Sequence, residues 1–597
     1  MTEETRHFGT EVGRLLDLVV HSLYSDREIF LRELVANAAD AMDKRRFLAL
    51  SDEALALPSG ASVQIVADKD SQTIRIEDLG IGMSKDELSE NLGTIARSGT
   101  AAFSAQLANT KPEERPSLIG QFGVGFYSAF MVADKVEVVS RKAGNQEAWE
   151  WSSDGRGEYT LKPATREEPG TTVTLYIKAD AVEFLEPIRL KTIIRKWADH
   201  ITLPVEIEED GKFEEITEGK ALWRKNKSEI TSEDYNDFYH HVGHSFDAPF
   251  ATLHWHVEGI VEFDALLFIP SQKPFMLIEE SRESKVKLHV KRMFITADAR
   301  LLPSWLSFVV GVVDTEDLPL NVSREILQTT PVLDKIRKAL VTRVLNELKL
   351  KSKDVESFKF FLENFGVVLK EGIYEDTGHA EEIAALLRFA SLREDSTTLD
   401  DYIAHMGEEQ EEIYYLAGEG EHLKNSVQIQ GFSEKGLDVL LFSDAIDAFW
   451  PGRLGSYKGK KLVSVSQASK LFEVSDVSDS IVALCAKLKA ALGEKVSDVT
   501  SSSRLKDSPA MLVAAESGPD LAMQKLMRRA GRPMFGSLPK LEINPTHKLV
   551  EQLVDRDDVK DMAELLLNLA RLQDGEPLDD PADFVRRISD QISNRQV

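Results

Sequence analysis

The sequence predicts a multidomain α+β chain, and three observations carry that prediction. At 597 residues it exceeds what one hydrophobic core organises, and length alone suggests up to about four domains. Its first third sets an amphipathic helix beside a stretch that alternates like a β-hairpin. Its last part, from roughly residue 476, reads as mostly helical, with apolar stripes at helical spacing.

Composition narrows the function classes. With 42% hydrophobic and 29% charged residues, this is an ordinary globular chain, neither disordered nor fibrous. The formal net charge of -28 repels a phosphate backbone, so no nucleic-acid partner is expected. The same charge keeps a protein that exposes apolar surface in solution. The single cysteine, Cys485, excludes an intramolecular disulfide and a cysteine-rich zinc site, and within IVALCAKLKAAL it reads as a small core residue. The start, MTEETRHFGTEVGRLL, is polar and carries no signal-peptide core. No run approaches the roughly 18 apolar residues that span a bilayer, so a cytoplasmic protein without a membrane partner is expected.

The first helix is FLRELVANAADAMDK, Phe30 to Lys44. Leu31, Leu34, Val35, Ala38, Ala41 and Met42 form an apolar stripe suited to packing on a sheet. Opposite them Glu33, Asn37, Asp40 and Lys44 fall at i, i+4, i+7 and i+11, in one polar row. A solvated face and one wall of a site both remain open on this stretch alone. Asn and Asp speak for the site, because they are poor interior helix formers and a merely wet face would use Glu, Lys, Gln and Arg.

In SVQIVADKDSQTIRIEDLGIGMS, Val63, Ile65, Ile74 and Ile76 alternate on one face around a turn near Asp70. The second strand ends at Glu77 and Asp78, ahead of Gly80 and Gly82. A carboxylate there can accept hydrogen bonds from an amino group such as that of adenine; Asp-x-Gly is also a common turn. A helix-like segment with Asn91 and Leu92 follows, then the polar loop NTKPEERPS. Gly120, Gly123 and Gly125 then precede the helix-like FYSAFMVA, a pattern that fits a phosphate cradle or a hinge. It is neither a Walker A loop nor a dinucleotide fingerprint. The stretch from about Arg97 to Ile119 is long enough for a lid.

The succession RELVANAADAMDK, EDLGIGM, NLGTIARSGT and IGQFGVGFYSAF closely resembles the nucleotide-binding domain of the heat shock protein 90 chaperones. That domain belongs to the ATPase superfamily shared with gyrase, MutL and histidine kinases. The resemblance implies an N-terminal α/β sandwich ATPase domain over about 1–212, with a lid over about 97–125. It implies an α/β middle domain with a catalytic arginine loop over about 213–475, and a mostly helical dimerisation domain over about 476–597. ATP and Mg²⁺ are the implied cofactors. Glu33 would polarise the attacking water and Asn37 would ligate Mg²⁺ through its amide oxygen. Asp78 would bind the adenine amino group, supported through water by Thr171. Gly82, Met83, Asn91, Leu92 and Phe126 would line the pocket, with Asp40 orienting groups at its edge. Gly120, Gln121, Phe122, Gly123, Val124 and Gly125 would hold the phosphates. Arg97 stands where the family commonly has Lys in a lid contact, which keeps the charge and changes the donor geometry. Leu79 replaces a more often polar residue.

In the middle region, VEIEEDGKFEEITEGKALW reads as a short acidic linker with a strand-like end at Val205 and Ile207, and no long charged insertion follows. His240, His241, His244, His254 and His256 invite a metal reading, but no cysteine is near and the carboxylates are irregularly spaced; surface and strand histidines are expected instead. FVVGVVDTEDLPLNVSREILQTTP passes from an apolar run through an acidic turn into a helix, with Ser323 a candidate cap. Taken plainly, Arg324 is half of a helix-start ion pair. The segment also matches the family's catalytic loop, which implies that Arg324 reaches the γ-phosphate, with Gln328 beside it, as an arginine finger supplied by a second domain. Gyrase- and MutL-type relatives supply a lysine there, and sensor kinases need a histidine-bearing helix ahead of the ATPase domain.

In the last region, DLAMQKLMRRAG carries Met523, Leu526 and Met527, which read either as core packing or as an adaptable stripe for client proteins. LPKLEINPTHKLVEQLV resembles the family's entry to its dimerisation helices. Apolar stripes follow at Leu549, Val550 and Leu553, at Met562, Leu565, Leu566 and Leu569, and at Phe584, Ile588 and Ile592. Three short helices bury little alone, so a homodimer through this region is expected. The end, ISNRQV, lacks the acidic co-chaperone tail of eukaryotic cytosolic forms, which points to the bacterial branch and leaves a co-chaperone system open. The expected function is an ATP-dependent dimeric clamp for non-native client proteins. The alternatives are a DNA-remodelling ATPase of the same superfamily and a holdase that works without ATP.

Overall fold

A computed structural model describes residues 26–95, 97, 99–100, 103, 118–120, 123–217, 221–273, 284–318, 330–418, 420–472, 477–516, 518–532 and 538–593. The chain divides into two units, the first running to Arg343 and the second from Val344, with short exchanges at 271–273 and 304–306.

The first unit opens on helix α1, Ile29–Ala49. Strands β1 (Val63–Asp68) and β2 (Thr73–Asp78) form the expected hairpin, with Ile65 opposite Ile76. Helix α2, Lys85–Leu92, starts on a capping box in which Ser84 and Glu87 satisfy each other's backbone donors. Strands β3 (Ala133–Arg141), β4 (Ala148–Ser153), β5 (Tyr159–Ala164) and β6 (Gly170–Ile177) follow. Helix α3, Pro187–Trp197, then leads to β7 (Val205–Glu209) and β8 (Lys212–Glu215). These make one sheet in the order β5-β4-β3-β6-β2-β1-β7-β8, antiparallel except where β1 pairs with β7. The acidic stretch read as a linker is thus partly a hairpin at the sheet's edge; β8 is exposed along its length, which is why its sequence looks like solvent-facing chain.

The apolar stripe of α1 meets the sheet as its spacing requires. Leu31, Val35 and Met42 are fully buried in one core with Val63, Ile65, Ile74, Val136 and Leu175. Each such side chain contributes about 1.5–3 kcal/mol by burial. The segment read as a helix after the glycines is a 3-10 run, Gly125–Met131. Its residues Tyr127 to Met131 are buried in that same core, so packing rather than propensity sets its pitch.

Later in this unit, helix α4 (Ser232–Gly243) covers a second sheet of β9 (Ala251–Val257), β10 (Phe263–Ile269), β11 (Lys285–Val290), β12 (Met293–Thr296) and β13 (Val310–Thr315). Its order is β12-β11-β13-β10-β9, and every residue of the central strand β13 and of its neighbour β10 is buried. Buried Asp314 accepts from Trp223 Nε1 at 2.9 Å, Arg224 Nε at 3.1 Å and the Arg292 amide at 3.1 Å. His254 is hydrogen-bonded to the Tyr235 hydroxyl at 2.8 Å and to the Trp223 carbonyl at 2.9 Å.

In the second unit, helix Val355–Glu375 is capped by Asp354 and buries Phe358, Phe361, Phe365, Leu369 and Ile373. It carries Lys370, buried between Asp444 at 2.7 Å and Asp447 at 2.8 Å. A sheet of β14 (Ala390–Ser391), β15 (Glu412–Ala417), β16 (Leu440–Phe442), β17 (Ser456–Tyr457) and β18 (Lys460–Ser464) follows, in the order β14-β16-β15-β18-β17. The last region holds the expected helices Asp479–Leu492, Leu521–Arg529, Lys560–Gln573 and Pro581–Ser593. It also holds a three-stranded sheet, β19 (Val499–Ser501), β21 (Lys540–Ile543) and β20 (Ala510–Val513), which the sequence reading did not include. These strands are three or four residues long and mostly buried, too short for alternation to appear. Cys485 is a core residue, its thiol pushed up to about 11 by burial. Met523, Leu526 and Met527 are half-buried on a helix capped by Asp520 and tied by Lys525 to Asp574 and by Arg528 to Glu576.

Candidate functional site

The polar row of α1 lines a cavity of about 210 Å³ between that helix and the first sheet's glycine-bearing turns. Glu33, Asn37, Asp40 and Lys44 all face it, and so do Leu34, Ala38 and Ala41 from the apolar side of the same helix. A periodic helix thus supplies both the packing surface and one wall.

At one end stands Asp78, where β2 runs out of its hairpin. Its carboxylate accepts from the Gly80 amide at 2.7 Å. Burial pushes the carboxyl up to about 7, opposed by the backbone donors of Gly80 and Thr171 and by the charge of Arg166. Thr171 is its neighbour across the β2–β6 ladder. The Thr171 hydroxyl lies 2.9 Å from Ser140 Oγ, which also accepts from the Met83 amide at 2.9 Å. Gly82 is required here: its φ is +63°, and a Cβ would collide with the Arg141 carbonyl. Behind the turn, Arg45 donates to the carbonyls of Leu79 at 2.7 Å and Leu55 at 2.8 Å. Ile76, Val138, Val173 and Phe126 give this end apolar walls. One buried acceptor between apolar walls suits a flat heterocycle with an amino group.

The other end is polar. Glu33 is buried, and its Oε1 accepts from Arg32 Nη2 at 2.8 Å and Nε at 3.1 Å. Arg32 is itself buried, its guanidinium 5.1 Å from the Trp197 ring centre, so the carboxylate is held in one orientation. Gly125 faces it, and a Cβ there would land on Glu33 Oε2. Asp40 accepts the amides of Ile119 and Gly120, each at 2.7 Å, fixing the start of the glycine-rich edge. Asn37 is the exposed member of the row. A Cβ on Gly120 would stand 3.3 Å from Asn37 Oδ1 and 3.1 Å from Asp40 Oδ2, so that glycine leaves open the space those oxygens border. Burial lowers the Lys44 pKa, and its ammonium sits 4.6 Å from the Phe103 ring centre.

The remaining expected residues take definite places. Met83, Asn91, Leu92, Gly123, Val124 and Phe126 line the cavity, as does Arg97, whose guanidinium pairs with Glu90 at 2.8 Å. Gln121, Phe122, Arg324 and Gln328 lie outside the described residues. The sequence reading did not single out Arg32, Arg45 or Ser140 as site residues. Arg32 carried the one available signal, an arginine beside the helix's first carboxylate.

Known proteins resemble the chain along nearly its whole length. Residues 24–172 match the family model described as "Histidine kinase-, DNA gyrase B-, and HSP90-like ATPase", a span that includes every described site residue from Glu33 to Thr171. Residues 208–596 match the model described as "Hsp90 protein". Among curated relatives, "Chaperone protein HtpG" of Methylobacterium sp. (strain 4-46) is 58% identical over 601 residues, covering 98% of each chain. The protein of the same name from Gluconobacter oxydans (strain 621H) is 57% identical, covering 98% of this chain and 97% of its own. That of Rhodospirillum rubrum is 46% identical, covering 99% of both. With an Hsp90 model over most of its length and relatives this similar from end to end, the chain belongs to the Hsp90 family.

Proposed function

We propose that the cavity on α1 binds ATP with Mg²⁺ and that its hydrolysis drives a homodimeric clamp around non-native client proteins in the cytoplasm. The family makes the chain an ATPase and an ATP-dependent chaperone. The observation that carries the site reading is the polarity of one cavity, with buried Asp78 at its apolar end and Glu33, Asn37, Asp40 and a glycine-rich edge at the other.

In this reading the adenine amino group donates to Asp78, with Thr171 and Ser140 extending the hydrogen-bond network behind it. The phosphates point toward Gly120–Gly125, where missing side chains let backbone amides approach. Glu33, oriented by Arg32, accepts a hydrogen bond from the attacking water and takes its proton. Asn37 fits Mg²⁺: it offers a hard amide oxygen on the cavity wall beside the space at Gly120, and magnesium takes few protein ligands when phosphates and waters complete its shell. Bound there, the ion would neutralise phosphate charge. Arg324 would stabilise charge developing on the γ-phosphate, with Gln328 beside it, so that turnover waits for the segment bearing them to dock.

The domain reading is an ATPase domain to about 212, a middle domain to about 475 and a dimerisation domain beyond. The exposed Val585 and Ile592, seven residues apart on the last helix, support pairing there. No helix among the described residues is long and apolar enough to cross a membrane. The test of the site is ATP binding and turnover for wild type, Glu33→Ala and Arg324→Ala. Both variants should bind ATP and lose most hydrolysis; wild-type turnover by Glu33→Ala would overturn the assignment.

A further inference from the structure

A two-residue hairpin turn with both residues at positive φ is best built from Asn-Gly or Asp-Gly. Between β11 and β12 the chain places Lys291 at φ 52° and Arg292 at φ 67° instead. Both are strained positions for residues that carry a Cβ, and such strain persists where the surroundings fix it and a function uses it. The surroundings do fix it. The Arg292 amide donates to Asp314, Met293 is 1% exposed inside the core that contains α1, and the Phe294 ring lies 5.4 Å from that of Trp197.

The choice of long cations at the tip is explained by what they reach. Lys291 Nζ donates to the carbonyl of Leu118 at 2.5 Å. Leu118 lines the cavity, and the next two residues give their amides to Asp40. The start of the glycine-rich edge is therefore gripped from two sides, by α1 through its amides and by the second sheet's hairpin through its carbonyl. Arg292 flanks α1 as well: its charge opposes the dominant effect of burial on Asp43, one turn past Asp40. Through Phe294 the same hairpin also touches Trp197, the ring against which Arg32 lies.

We propose that Lys291 is a positioning residue for hydrolysis: its ammonium pins the Leu118 carbonyl, so the glycine-rich edge stands ready for the phosphates only while the second sheet is docked on the cavity. The proposal rests on the reading of that cavity as the ATP site. It gives the second sheet a hold on the reaction through the lid edge, separate from the Arg324 loop.

The experiment is ATP turnover, ATP binding in the presence of Mg²⁺ and thermal melting for full-length Lys291→Asn and Lys291→Arg, with Glu33→Ala alongside. Asparagine suits the turn better than lysine and cannot reach Leu118. Lys291→Asn should melt at or above the wild-type temperature and bind ATP within about threefold of it, yet turn over about 5- to 20-fold more slowly. Arginine can still donate to a carbonyl, and Lys291→Arg should recover at least about half of the lost rate. Wild-type turnover by Lys291→Asn would overturn the proposal, as would loss of ATP binding in step with turnover. If Glu33→Ala also turns over normally, the ATP-site reading has failed; if it is inactive while Lys291→Asn is normal, only the role of Lys291 has.

Discussion

Asp78 holds its proton far above the usual carboxylate range, at about 7, because it is buried. A carboxyl raised on folding stabilises the fold fully below its unfolded value, near 4, and that contribution is lost as pH rises through about 7. Relative to Asp78→Asn, the ligand-free protein should therefore lose melting temperature between about pH 4 and pH 7 and level off above it; a constant difference across that window would refute the assignment. The ionised form is the better acceptor for an amino group, so adenosine binding near pH 6.5 should release protons, read by calorimetry in buffers of different ionisation heat. Net proton uptake would mean that the neutral acid is what binds. At Gly125, substitution by alanine should leave ATP affinity within about threefold and lower turnover at least about tenfold, because the new Cβ must displace Glu33. Of the candidate site residues, Glu33, Asn37 and Asp78 stand out in the sequence by helical period and a strand-end turn. A solvated face and a common turn fit those signals equally, and it is the family resemblance that favours the site. Ser140 and Lys291 do not stand out. One is an ordinary serine in an alternating strand, the other an ordinary lysine, and only chain segments far apart in sequence give them their partners.

Among the elements, α1 and the β1–β2 hairpin could be read because one face of each is buried, which forces a period on the sequence. The 3-10 run Gly125–Met131 and the short buried strands β19 to β21 could not, because tertiary packing rather than local pattern decides their form. Pro581–Ser593 illustrates what a local pattern can still offer. Phe584 is buried and Ile588 packs against the same core, while Val585 and Ile592 are 61% and 62% exposed. Such a helix carries apolar side chains that its own core leaves largely uncovered. Val585→Glu with Ile592→Glu should shift the proposed dimer toward monomer by light scattering at micromolar concentration, with thermal melting of the C-terminal region retained. A dimer of unchanged mass would place the subunit contact elsewhere.

For the molecule as a whole, the net charge of -28 and the Hsp90 membership agree in separating this chain from the DNA enzymes that share its ATPase type. The remaining question is whether hydrolysis is used. In a client-reactivation assay, Glu33→Ala should still suppress aggregation and lose ATP-dependent recovery of activity. Recovery equal to wild type would make the chain a holdase whose ATPase is idle. Length told that one core would not suffice, and the shortness of the last helices raised the expectation of a dimer. The involvement of the second sheet in the first sheet's cavity had no such sign, because nothing in β11 or β12 marks which surface they meet.

The two amides that Asp40 accepts, from Ile119 and Gly120, are donors of the kind an incoming phosphate would seek. The protein thus carries an internal mimic of its ligand's anion. A compound that fills only the apolar end near Asp78 leaves that mimicry intact and does not reach the rim. A nucleotide's phosphates would instead reach the rim itself, whose position Asp40 and Lys291 hold. Competitive inhibitors that stop short of the phosphate end should therefore bind with an affinity that does not depend on how firmly the rim is held, whereas turnover of ATP should depend on it.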